Sequence, residues 1–277
     1  MATAPKETTA TAKKEGSGSS IFASLTIVIC IIIGILLWKF VMGNAANFEG
    51  GDPENGHPLP GNYFGMVYKG GIIVPVLMGM LLMVIVFSIE RFIVINKAAG
   101  NGSVDVFVQK IQGYLSARNI EAAIAECDKQ KGSVANVIKS GLKKYREVEA
   151  DAGMNTEQAS LAIQKDIEEA TALEMPMLEQ NLTVLATLVS VGTLTGLLGT
   201  VSGMIKAFAG LATAGAPDQA ALANGISEAL INTATGIATS TIAIIMYNIF
   251  TSKIDKLTYS IDEAGFSIVQ TYASTHK

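Results

Sequence analysis

Residues 222–250 read LANGISEALINTATGIATSTIAIIMYNIF, a run whose one charge is Glu228. At 1.5 Å per residue it is long enough to cross a hydrocarbon core of about 30 Å, so it reads as a transmembrane helix. Lys253 and Lys256 close it. Working outward, residues 182–211 form a second span, uncharged from Leu182 until Lys206. Residues 212–221 carry Gly215, Pro217 and Asp218 and read as a short loop between the two. A third span covers 71–95, with Pro75 tolerated near its start and Glu90-Arg91 near its end. Ile21 to Leu37, extended by Val41 and Met42, makes a fourth, at 21–42. The expected fold class is all-α: a multi-span transmembrane helical protein with a helical cytoplasmic domain, its long helices continuing from the membrane into the cytoplasm.

Composition agrees. The 277 residues are 49% hydrophobic and 16% charged, against about 25% charged in soluble domains. The charge is uneven, since 11 of the 20 Lys and Arg residues lie between Arg91 and Gln180. The positive-inside rule therefore places 96–180 and the C-terminal tail, 251–277, in the cytoplasm, and the loop 43–70 outside. Residues 1–20, rich in Thr, Ala, Ser, Gly and Lys, lack the apolar content for a core and are expected to be disordered. Two readings of 21–42 stay open: a retained span, or a signal peptide followed by the small residues Gly43 to Ala46. A net charge of -4 gives no electrostatic case for nucleic acid. Cys30 and Cys127 lie too far apart in kind to pair, and two His with two Cys make no metal cluster. No cofactor, nucleotide loop or catalytic triad is expected.

Within 96–180, Gly100-Asn101-Gly102-Ser103 breaks and caps the chain before Val104, Phe107, Val108, Ile111 and Leu115, which recur at helical spacing. Ile120–Gln130 and Val134–Glu149 repeat the pattern, and Ala150 to Asn155 turns the chain. From Thr156 a long helix is expected to run through Glu174-Met175-Pro176-Met177 into the membrane, kinked at Pro176.

The membrane chemistry concentrates in the last two spans. Gly192, Gly196, Gly199 and Gly203 form a ridge that lets helix backbones approach, and they point to a multi-helix assembly. Thr193 and Thr200 share a face with Gly196 and Gly203. Glu228, Asn232, Thr235 and Thr239 share a face of the last span, with Thr233 and Ser240 on a second. A carboxylate costs about 2.5–3.5 kcal/mol at a bilayer centre, which favours a polar cavity or pore over lipid. Such a group can bind and release a proton, and when ionised it is a hard oxygen ligand for a cation, with threonine hydroxyls beside it to donate or relay. Two bland readings compete. The hydroxyls can serve only helix packing, and the 24 uncharged residues between Glu228 and Lys253 span a core by themselves, leaving Glu228 at the outer interface.

Gly196-Leu-Leu-Gly-Thr-Val-Ser-Gly203, Gly225-Ile-Ser-Glu-Ala-Leu-Ile-Asn-Thr233 and Tyr247-Asn248 together resemble the MotA/TolQ/ExbB proton channel family, and its ExbB branch most. The resemblance covers the last two spans and, in layout, 71–180, with Glu168 to Asn181 leading into the span at 182–211. Residues 21–42 are an addition to the family's three-span plan, and Ile242 stands where ExbB proteins often have proline. The resemblance implies a pentamer around ExbD-like single-span helices that couples the proton motive force to a TonB-like protein and outer-membrane transport. It implies that Thr200, Glu228 and Thr233, with Asn232 beside them, line the ion path. Tol-Pal-type envelope maintenance, motility, and a scaffold whose partner alone carries the ion are the alternatives. The location implied is the bacterial inner membrane, among its lipids.

Overall fold

The computed structural model describes residues 16–54, 56–150, 153–212 and 219–276. The expected disordered tail at 1–15 and the centre of the expected short loop, 213–218, lie outside the described residues. Every named element among the described residues is helical: α1 (Gly16–Leu36), α2 (Tyr63–Tyr68), α3 (Val74–Ala99), α4 (Val104–Ser116), α5 (Ile120–Gln130), α6 (Gly132–Ala150), α7 (Thr156–Glu179), α8 (Leu182–Ala212) and α9 (Gln219–Thr275), with short 3-10 and π turns between α1 and α2. Four of these stretches are long and apolar enough to cross a membrane, and the protein is an all-α, multi-span membrane protein. Helix α1 starts at Gly16, inside the stretch expected to lack structure, because an apolar helix propagates outward at the gain of one hydrogen bond per residue.

Helices α8 and α9 form the main pair, and α3 packs against both. Helix α1 rests on α3 where two glycines cross: a Cβ on Gly34 would come within 2.6 Å of the Pro75 carbonyl oxygen, and one on Gly79 within 3.0 Å of the Ile31 Cα. Beyond α1 the chain makes a π turn, Leu37–Met42, whose Trp38 stacks on Tyr68 with ring centres 4.6 Å apart. Asn47 donates to the Val41 and Met42 carbonyls, both at 2.9 Å, closing that turn. The loop 43–70 is thus a folded cap at the end of the bundle where α9 begins.

At the opposite end, α4, α6 and α7 pack around the far half of α9, and α5 packs on α4 and α6. The stretch expected as a tail, 251–277, is instead the continuation of the membrane helix as far as Thr275. Ile254, Leu257, Ile261, Ala264, Ile268 and Tyr272 recur every three or four residues and are buried, so α4, α6 and α7 cover one continuous stripe. Each large apolar side chain there contributes about 1.5–3 kcal/mol by burial. Asn155 and Gln158 form a reciprocal capping box that starts α7. Ser103 occupies the cap position of α4, but its side chain makes no capping bond. Lys110 and Lys129 clamp Glu126 at 2.7 and 3.1 Å and hold its carboxyl below the ordinary value. Burial pushes the neighbouring Cys127 thiol up to about 12.

The expected passage from α7 straight into α8, kinked at Pro176, is corrected. Helix α7 runs through Pro176 and stops at Glu179, and the chain turns at Gln180 and Asn181, the latter at φ +64°. The cause comes from another helix. Buried Arg91 of α3 donates to the Met177 and Leu178 carbonyls, each at 3.1 Å, taking acceptors that a continuing helix would have used. Glu90 neutralises Arg91 and accepts from Asn181 at 3.4 Å.

Candidate functional site

The α8–α9 seam is built on glycine. A Cβ on Gly196 would lie 3.0 Å from the Asn232 backbone carbonyl oxygen and the Gly236 Cα, and one on Gly203 would lie 2.7 Å from the Ala229 backbone nitrogen. Gly192 faces Ser240, and Gly199 faces the Asn232 side chain. The ridge therefore meets α9 of the same chain. On this seam Thr200 and Thr233 bring their hydroxyls into direct hydrogen-bond contact. One hydroxyl donates to the other, which leaves its partner's hydrogen for a carbonyl of its own helix: Ala229 O lies 3.2 Å from Thr233 Oγ1 and Gly196 O 3.2 Å from Thr200 Oγ1. Farther along, Thr193 donates to Ser240 at 2.9 Å.

Glu228 and Asn232 occupy the next face of α9, turned toward the start of α3. Both are buried, Asn232 completely. Asn232 donates its amide to the Gly70 carbonyl at 2.9 Å, while its own Oδ1 is buried with no hydrogen-bond partner among the described residues. A bare buried acceptor costs roughly 1–3 kcal/mol, and this one belongs to a residue one helical turn from Glu228. Lys206 of α8 donates to Glu228 Oε1 at 2.6 Å. The carboxylate rests directly on Gly71, whose φ is +79° and whose Cβ, if present, would lie 2.4 Å from Oε1. The carboxylate, enclosed by α3, α8 and α9 while the lysine stays half-exposed, supplies an acid within reach of a cation, with hydroxyls nearby and an amide oxygen one helical turn away.

The site residues expected from the sequence thus separate into two neighbouring groups. Thr200 and Thr233 meet across the seam, while Glu228 and Asn232 meet the α3 entrance. Thr235 and Thr239 stand on the expected face, but their hydroxyls donate to Ile231 and Thr235 carbonyls of their own helix, the packing role weighed above. Sequence reasoning missed three participants. Lys206 was visible as a lone charge near the end of an apolar span. Gly70 and Gly71 were visible as a glycine pair before Pro75, but nothing local ties them to a residue more than 150 positions away.

Comparison with known proteins bears on the same region. The profile described as the MotA/TolQ/ExbB proton channel family matches residues 129–263. The chain is 28% identical over 159 residues to the Tol-Pal system protein TolQ of Pseudomonas aeruginosa, covering 57% of this chain and 69% of that one. It is 35% identical over 86 residues to the biopolymer transport protein ExbB of Pseudomonas putida, covering 31% and 26%. It is 33% identical over 85 residues to the ExbB of Salmonella typhimurium, covering 31% and 35%. The matched stretch thus spans about two thirds of the TolQ relative and about a third or less of these ExbB relatives.

Proposed function

We propose, from the premise that this chain belongs over residues 129–263 to the MotA/TolQ/ExbB proton channel family, that it is the ion-channel subunit of a membrane motor. In this reading it is not an enzyme. It sits in a bacterial inner membrane and assembles as a homo-oligomer, a pentamer by the resemblance, around an ExbD-like single-span partner. It couples the proton motive force to a TonB-like protein that energises outer-membrane transport. The observation that carries the reading is Glu228, a carboxylate buried within an otherwise uncharged span, one helical turn from an Asn232 oxygen with no partner among the described residues. The Lys and Arg excess of 96–180 supports placing α4–α7 in the cytoplasm and the cap at 43–70 outside. Thr200 and Thr233 serve as the hydroxyl pair on the path.

A second reading, Tol-Pal-type envelope maintenance, keeps the same channel and changes its output. It is favoured by the TolQ relative, whose match covers a larger share of both chains than the two ExbB matches given above. Glu228→Gln tests what the two readings share. It keeps shape and hydrogen-bonding capacity but cannot ionise, so ion-driven work is lost while expression and native mass persist. Glu228→Asp, with a shorter reach, retains part of it. Retained work in Glu228→Gln supports the scaffold reading instead.

A further inference from the structure

The Glu228 carboxylate is already occupied by a cation of the protein's own. Lys206 Nζ lies 2.6 Å from Oε1, and the two side chains are unequally enclosed: Glu228 is 10% exposed and Lys206 is 53% exposed. The carboxylate is fixed from below by Gly71 and by its place on the buried face of α9. The ammonium, by contrast, sits on a four-carbon stem whose root is six residues from the end of α8 at Ala212, about 9 Å along the axis. A lysine there can reach the interface by extending its stem, without any backbone movement. The pair thus has one fixed half and one mobile half. Elsewhere at this end, Lys69 beside the Gly70-Gly71 pair is bonded to the Glu54 carbonyl at 2.9 Å and needs no carboxylate.

We propose that Lys206 is a tethered cation that keeps the Glu228 site shut, and that arrival of an external cation at Glu228 releases the ammonium toward the outer face. The inference rests on the reading of Glu228 as the ion-binding acid. Its physical content is competition. The pair is neutral as it stands, so a second cation binds Glu228 only as Lys206 leaves. A carboxyl neutralised by a proton no longer holds an ammonium by charge. Release on loading and return on unloading keep an idle channel from leaking while leaving the site open to the ion it carries. Lys206 is therefore a positioning and gating residue.

Two measurements test it. The first is acylation of Lys206 by an impermeant amine reagent, read by peptide mass spectrometry on the full chain in nanodiscs. In Glu228→Gln, which mimics the neutral carboxyl, Lys206 should react on the order of tenfold faster than in the wild type, with Lys69 unchanged as internal reference. Equal rates at Lys206 overturn the proposal. The second is passive proton leak through the partner-containing complex in proteoliposomes. Lys206→Gln should leak several-fold more than wild type and Lys206→Arg should stay tight, a rescue that loss of packing does not produce. A Lys206→Gln complex no leakier than wild type also overturns it. Retained ion-driven work in Glu228→Gln defeats the channel reading but leaves the acylation contrast intact, so the two failures are separable.

Discussion

Gly71→Ala probes the contact that holds the carboxylate in place. Two costs are expected. The first is conformational: Gly71 has φ +79°, where an L side chain costs about 1–2 kcal/mol. The second is specific to the site. The new Cβ would lie 2.4 Å from Glu228 Oε1, and ordinary contact starts at 3.4 Å, so the carboxylate has to retreat by about 1 Å. Displacement of a reacting group by that amount can cost about 10²-fold in rate. Gly61 supplies the control, since its φ is +78° and a Cβ there meets nothing within 4 Å. Gly61→Ala carries the backbone cost alone. Ion-driven work per assembled complex, measured with native mass and thermal stability, separates the two terms. Both variants should lose similar stability, and Gly71→Ala alone should lose most of its work. Equal activity in the two variants would refute the argument that Gly71 positions the acid.

The remaining predictions follow from other contacts. Thr200→Val and Thr233→Val each remove one half of a hydroxyl pair, so each should lower ion-driven work with assembly intact, and the double variant should be little worse than either single; additive losses would mean that the two act separately. For orientation, Tyr63→Cys should react with an impermeant thiol reagent in intact spheroplasts and Ser116→Cys only after lysis, and equal labelling would reject the arrangement. Glu126 is held below its ordinary 4.5 by Lys110 first and Lys129 second, so its stabilisation is fully present above that value and is lost as pH falls through the lowered one. The stability gap between wild type and Glu126→Gln should therefore shrink as the medium is acidified, and a gap constant with pH would contradict the assignment.

The sequence was legible where one helix decides its own structure. Apolar runs marked the spans, and the three- and four-residue spacing that placed Glu228 and Asn232 on one face is the spacing by which both reach the α3 entrance. It was less legible where distant segments decide. Pro176 is a local signal for a kink, yet the break falls at Gln180 and Asn181 because Arg91, 86 residues upstream of Met177, takes the carbonyls. The amphipathic stripe beyond Phe250 was present in Ile254, Leu257 and Ile261, but charged neighbours hid it until α4, α6 and α7 supplied a surface to cover. Lys206 read as the end of an uncharged run, since a single-chain pattern cannot show which carboxylate a lysine reaches. The glycine ridge announced close packing without naming its partner, which is α9 of the same chain.

Proton flux tests the central claim most directly. The full chain, assembled in proteoliposomes with the single-span partner proposed above, is compared with its Glu228→Gln variant under an imposed proton gradient and potential. The account predicts flux in the wild type and background flux in Glu228→Gln, at unchanged native mass. Wild-type flux in Glu228→Gln would contradict it, leaving Glu228 as a residue at the outer interface and the ion to an acid carried by the partner.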